Sequence, residues 1–416
     1  MDLFSIIALL VIVSAFYSYI NARFVKLPGT IGIVTIAVVA SIITIFIDSV
    51  DPNTAHYLTL LAKHINFSST VLNIMLGFLL FSSSFTLNTR RLKKEMRPVF
   101  ILSTIGVIIS TVVFGWLFYW ITNLFGIHIP LVYCLLFGAL ISPTDPVAVG
   151  AIIKNSRLPV NLETIISGES LFNDGIGLVL FITILEFIDS GNDKLDLAKT
   201  VVLFVKEVFG GIILGAFLGF IAFRLMKSIT DFQTIVLVSV ALVMSISVVA
   251  AYMHFSIPLA VVTAGLFAGN RSINLDSSEH SHQSLEKFWE LIDEMLNTIL
   301  FVMIGLQMIN LPYLNNYWLI GSIGIAAILI ARWISILTPL VFFKKIVHTN
   351  LKNINILTWA GLRGGISIAL ALSLPYSPYR HVILAASYFI VIFSVIVQGL
   401  TLNRVIAASI PEEKAT

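Results

Sequence analysis

Apolar residues run along this chain in long blocks separated by short polar or charged intervals, and most blocks are long enough to cross a bilayer as helices. Bounding each block by charge, Pro or Gly predicts about thirteen spans, near 3–20, 30–47, 69–87, 98–124, 130–153, 161–188, 199–226, 232–252, 256–269, 287–309, 316–343, 355–374 and 382–408. The ninth is short. The intervals leave no room for a separate soluble domain, and only twelve residues follow Arg404. The expected fold class is therefore an all-α polytopic membrane protein, a single transmembrane unit over 1–416.

Composition agrees. Of 416 residues, 58% are hydrophobic and 11% charged, against roughly one-quarter charged in soluble domains. The net charge of +3 is too small, and its basic residues too dispersed among short loops, for nucleic-acid binding. Cys134 is the only cysteine, which excludes an intrachain disulfide, a cysteine-rich zinc site and an iron–sulfur cluster. The N-terminus has neither the basic region nor the cleavage site of a signal peptide, so its apolar run is expected to stay as the first span. Eighteen Lys and Arg fall in one set of loops, five in the other and two within spans. That asymmetry places the N-terminus outside and the C-terminus in the cytoplasm.

Within the sixth span lies the polar stretch Ser167-Gly168-Glu169-Ser170-Leu171-Phe172-Asn173-Asp174-Gly175. At 100° per residue, Ile166, Glu169, Ser170, Asn173, Asp174 and Gly177 share one face, leaving an apolar face free to meet lipid or other helices. A charge at this depth costs about 2.5–3.5 kcal/mol even on insertion scales, so such residues mark ion or proton paths.

Two other spans carry signs of broken helices. The fifth contains Ser142-Pro143-Thr144-Asp145-Pro146, whose prolines remove N–H donors and clash one turn back. The freed backbone groups are tolerable in a membrane only against protein or a wet cavity. Asp145 before Pro146 reads as the cap of a second half-helix, an electrostatic role rather than direct ion ligation. The twelfth contains Gly361-Leu362-Arg363-Gly364-Gly365, where Arg363 must find an anion or a carbonyl end. Broken segments in corresponding, oppositely directed spans suggest an inverted repeat, spans 1–6 against 8–13, with a site near the midplane.

Counting deep charges sharpens this reading. Asp145, Glu169 and Asp174 face two guanidiniums, Arg332 and Arg363. Pairing Glu169 with Arg332, and Asp145 with or near Arg363, leaves Asp174 for either a monovalent cation or a proton. At the inner end of the tenth span, Glu290 and Glu294 stand one turn apart and suit either a negative inner funnel or a wet helix end. His280 and His282, two residues apart in a polar loop, read as solvated rather than as a metal site. No nucleophile sits with a base and no metal-ligand cluster is visible, so an enzyme is not expected.

At these residues the chain resembles the sodium/proton antiporters of the NhaP and NHE type. The resemblance rests on Gly168-Glu169-Ser170-Leu171-Phe172-Asn173-Asp174-Gly175, Thr144-Asp145-Pro146, Gly361-Leu362-Arg363-Gly364, and Phe288-Trp289-Glu290 with Gly305-Leu306-Gln307. It implies an NhaA-like inverted repeat with two broken crossing helices (spans 5 and 12) and a homodimer in the cytoplasmic membrane of a prokaryote. It further implies a core domain (about 98–188 and 316–408) moving against a dimerisation domain (about 3–87 and 232–309), with 199–226 as linker helix. The implied ion ligands are Asp174, Glu169, Ser170 and Thr144, with Asn173 associated with one-for-one exchange. No cofactor is implied beyond the transported Na⁺ (or Li⁺) and H⁺. K⁺/H⁺ exchange and Na⁺-coupled symport of an organic anion are the alternatives, because carboxylate and carbonyl oxygens bind either cation.

Overall fold

The protein is described by a computed structural model over residues 3–50, 67–145, 149–150, 156–189, 197–269, 279–309, 314–342 and 351–410. The helices are α1 (Leu3–Ile20), α2 (Gly29–Val50), α3 (Phe67–Thr86), α4 (Thr89–Leu124), α5 (Leu131–Ile141), α6 (Val160–Asp189) and α7 (Leu197–Lys227). They continue with α8 (Phe232–Met253), α9 (Ile257–Ala268), α10 (Glu279–Ile309), α11 (Leu314–Phe342), α12 (Leu351–Trp359), α13 (Gly365–Ser373) and α14 (Arg380–Ser409). Among the described residues, ten helical segments are long and apolar enough to cross a membrane, and α5 and α9 are shorter apolar helices. The chain is an all-α, multi-pass membrane protein.

Local chemistry sets several boundaries. Asn88 accepts from the backbone N–H of Arg90 and Arg91 at 3.1 and 3.2 Å, so α4 begins nine residues before the apolar run that predicted it. Glu279 likewise starts α10 eight residues early. Ser256 caps α9 through the Leu259 N–H, with Pro258 in the first turn, where its missing donor costs nothing. Wide π turns interrupt α3 at Val71–Met75, α4 at Leu102–Gly106 and α14 at Ser394–Gln398, and one follows α1 at Asn21–Val25. A hydropathy pattern carries no mark of them.

The twelfth predicted span is two helices, α12 and α13, separated by irregular backbone at Ala360–Gly364 that turns tightly at Ala360–Leu362 and is extended at Gly364. The fifth stops as a regular helix at Ile141 and becomes irregular through Asp145. Pro146 and, apart from 149–150, the half-helix that Asp145 was expected to cap lie outside the described residues, as do His280 and His282 as side chains.

Helix α6 packs against α4, α5, α7 and α9, and it is buried all round from Gly168 to Gly177 apart from a partly covered Phe172. Its apolar face meets other helices rather than lipid. One large apolar core joins α4, α5, α11, α12, α13 and α14 to the inner faces of α1, α2, α3, α6 and α10. A second, smaller core gathers α3, α7, α8, α9 and the start of α10 around the fully buried Trp289. The Trp289 indole donates to Ser239 at 3.3 Å, while Ser82 donates to the Trp289 carbonyl at 2.7 Å. The Phe288-Trp289-Glu290 motif is thereby anchored by its middle residue.

Candidate functional site

The two broken segments meet at the centre of the fold. The Asp145 N–H donates to the Leu362 carbonyl at 2.7 Å, so the irregular backbone of each break satisfies part of the other. Arg363 completes the junction. Its Nη1 donates to the carbonyls of Ser142 and Pro143 at 2.6 and 3.2 Å, groups that the end of α5 leaves without helical partners. Sequence reasoning set Arg363 with or near Asp145, and named a carbonyl end as the other group that could receive it; the guanidinium reaches that carbonyl end. Asp145 is a neighbour all the same, since a Cβ added at Gly364 would collide with its carboxylate.

The second break is tied down by α14. Ser394 Oγ accepts the Arg363 N–H at 2.8 Å and donates to Gln398 Oε1 at 2.6 Å, while Gln398 Nε2 donates to the Trp359 carbonyl at 3.3 Å. Both side chains come from the π turn, where residues four apart lie on one face of the helix and reach the same break. Neither residue stands out in the sequence, because a serine or glutamine in an apolar helix carries no charge to count. Ser142 and Ser110 were missed for the same reason; they are bonded to each other at 2.9 Å where α4 backs the first break.

Along α6 the polar face divides into three. Glu169 is 1% exposed and receives both guanidinium nitrogens of Arg332, Nη2 to Oε2 at 2.8 Å and Nη1 to Oε1 more closely. Ser170 and Asn173 bind Thr144 at the first break. Thr144 and Ser170 share a hydroxyl–hydroxyl bond at 2.8 Å, Asn173 Nδ2 donates to Thr144 Oγ1 at 2.8 Å, and the Thr144 N–H donates to Asn173 Oδ1 at 3.2 Å. Asp174 comes last. It is 4% exposed, and its Oδ2 is buried without a hydrogen-bond partner. The break comes this close to α6 because Gly177 lies against the Pro143 ring, a space any side chain would fill.

The structure thus brings Asp174, Asn173, Glu169, Ser170, Thr144, Asp145, Arg332 and Arg363 into one buried constellation. Glu290 and Glu294 stand apart, exposed on α10, with the buried Asn297 amide donating to the Asp293 carbonyl at 2.8 Å. The constellation can hold a monovalent cation or a proton on one carboxylate, with hydroxyl, amide and carbonyl oxygens around it.

Comparison with known proteins agrees with this geometry. The chain is 38% identical to the Na⁺/H⁺ antiporter NhaP of Pseudomonas aeruginosa, the similarity covering 99% of this chain and 98% of that one. It is 32% identical to the Na⁺/H⁺ antiporter NhaH of Halobacillus aidingensis over 97% of each. The solved structure of the sodium proton antiporter MjNhaP1 of Methanocaldococcus jannaschii superposes with a TM-score of 0.78 at 19% identity, covering 98% of this chain and 99% of that one, which shows a shared fold. The sequence profile of the transmembrane sodium/hydrogen exchangers matches residues 10–408, and the chain belongs to that family.

Proposed function

We propose that this protein is a secondary antiporter exchanging Na⁺ for H⁺ across the cytoplasmic membrane, with Asp174 binding cation and proton in competition. One observation carries the reading: Asp174 keeps a buried, unpartnered carboxylate oxygen, whereas Glu169 is taken by Arg332 and Arg363 by backbone carbonyls. A buried carboxylate without a fixed counter-charge is tolerable only when neutralised. Na⁺ or Li⁺ can do so, and so can a proton, but not both at once. The charged, empty site is the costly one to carry across the barrier, so transport occurs only in the two neutral forms and the fluxes are coupled.

Thr144, Ser170 and Asn173 supply neutral oxygens beside Asp174, and Asn173 adds no second charge, which makes exchange one-for-one and electroneutral. Glu169 acts through its pairing with Arg332 in the conformation described here. Asp145 supplies negative potential next to the site, and Glu290 and Glu294 draw cations toward the inner mouth. Alternating access divides the helices into a core domain (about 98–188 and 316–408) and a dimerisation domain (about 3–87 and 232–309) in a homodimer, with the N-terminus outside and the C-terminus in the cytoplasm. The relatives named as Na⁺/H⁺ antiporters support the ion pair chosen.

The test is dequenching of an internal pH dye in proteoliposomes on adding Na⁺, Li⁺ or K⁺ in turn. Proton flux with Na⁺ is expected. Flux with K⁺ alone would reassign the cation, and current accompanying the exchange would overturn electroneutrality.

A further inference from the structure

Helix α4 is far longer than a bilayer needs. Its 36 residues rise about 54 Å at 1.5 Å each, against a hydrocarbon core of ~30 Å. Outward exposure locates the excess. Phe100, Ile105, Ile108, Val112, Trp116 and Trp120 form an exposed apolar strip, and the 20-residue step from Phe100 to Trp120 matches the ~30 Å core, with tryptophans at the far interface.

On the other side of Phe100 the helix turns basic. Arg90, Lys93, Lys94 and Arg97 are all exposed, and their i, i+3, i+4, i+7 spacing sets them on one face. Glu95 points away from them. The opposite face is apolar: Leu92 and Val99 are buried and pack on Gly168 of α6. Among the described residues, no ion pair engages the four cations. Arg97 lies roughly 4.5 Å beyond Phe100 along the axis, within the headgroup layer, and Lys93 one turn further can reach back to it. Setting topology needs only that positive charge be present in this loop. It does not need four cations gathered on the face that continues the lipid-exposed strip.

We infer that Arg90, Lys93, Lys94 and Arg97 form a binding site for anionic phospholipid headgroups of the cytoplasmic leaflet. The inference rests on the membrane-crossing reading and not on antiport, so failure of either leaves the other standing. A bound lipid phosphate neutralises the cationic face while its acyl chains cover Phe100 and the strip beyond. The segment's other face is packed on α6 next to Glu169, so the lipid braces the start of α4 against the helix that carries the site.

The experiment is thermal unfolding of the full-length protein in neutral detergent during titration with phosphatidylglycerol, with phosphatidylcholine and inorganic phosphate as parallel arms. Each basic residue near an anionic surface is worth roughly fivefold in affinity, so K93Q/R97Q is expected to raise the phosphatidylglycerol midpoint roughly 30-fold. The phosphatidylcholine response should not change. A second pair at the end of α7, R224Q/K227Q, should keep the original midpoint. If K93Q/R97Q does not fold, R97Q alone should show roughly the fivefold effect. Equal stabilisation by both lipids, an equal loss in the α7 pair, or full stabilisation by inorganic phosphate would each overturn the site.

Discussion

Glu169 and Asp174 stand five residues apart on one helix, both almost fully buried, and are met in opposite ways. Around Glu169 the protein supplies a complete counter-charge in the planar fork of Arg332. Beside Asp174 it sets the neutral groups of Thr144, Ser170 and Asn173, tied up with one another, and the like charge of Asp145, and it leaves one Asp174 oxygen alone. A carboxylate that is permanently paired makes a strut, and one whose partner comes and goes makes a site. Burial is common to both; the partner distinguishes them.

The strongest way to break the comparison is Asp174→Asn. Removing the titratable group should abolish Na⁺-driven proton flux while unfolding stays near the wild-type temperature, since an amide in that position needs no counter-ion. Robust flux in this variant would move the site elsewhere. Arg332→Gln should act the other way round, destabilising the fold by about 3–5 kcal/mol because Glu169 is left buried and unpaired. Glu169→Gln combined with Arg332→Gln should recover part of that loss in a double-mutant cycle of denaturation midpoints. Simple additivity of the two losses would mean that the strut bears no load.

Competition at Asp174 gives the next largest effect. With proton and cation sharing one carboxylate, the apparent KM for Na⁺ should rise as pH falls, approaching tenfold per unit where the site is mainly protonated. A KM flat across pH, read from initial dequenching rates, would separate the two binding events. Thr144→Val, the smallest of the four, removes bonds to Ser170 and Asn173 worth about 1 kcal/mol each. It should raise the Na⁺ KM several-fold and leave the Glu169–Arg332 coupling unchanged. A change in that coupling would mean that the two regions are one network.

Much of this arrangement was legible in the sequence, because a membrane makes some residues expensive. A buried guanidinium or carboxylate costs enough that Arg332, Glu169 and Asp174 could be matched by counting, and proline pairs and glycine runs marked both breaks. The helices fell close to their predicted limits wherever hydrocarbon sets the length. Limits failed where water takes over, at Thr89 and Glu279, since a charged amphipathic turn can extend a helix without altering the apolar run. Arg363 could be set with or near Asp145, but the particular carbonyls it meets are invisible in a list of side chains. Ser394, Gln398, Ser142 and Ser110 were silent because uncharged polar groups inside apolar helices are common and usually bond to their own backbone.

The π turn at Ser394–Gln398 also bears on how this chain can change over generations. A wide turn holds one residue more than a regular helix would over nearly the same rotation. Deleting one residue there would restore regular winding and leave the helix beyond it facing as before. Leu402 and Ile406, both buried further along, would keep their place in the core, while the spacing at which Ser394 and Gln398 brace the break would be lost. Substitutions in this stretch can be graded and repaired one at a time. Loss or gain of a single codon cannot, so the length of this helix should be more strictly inherited than its composition.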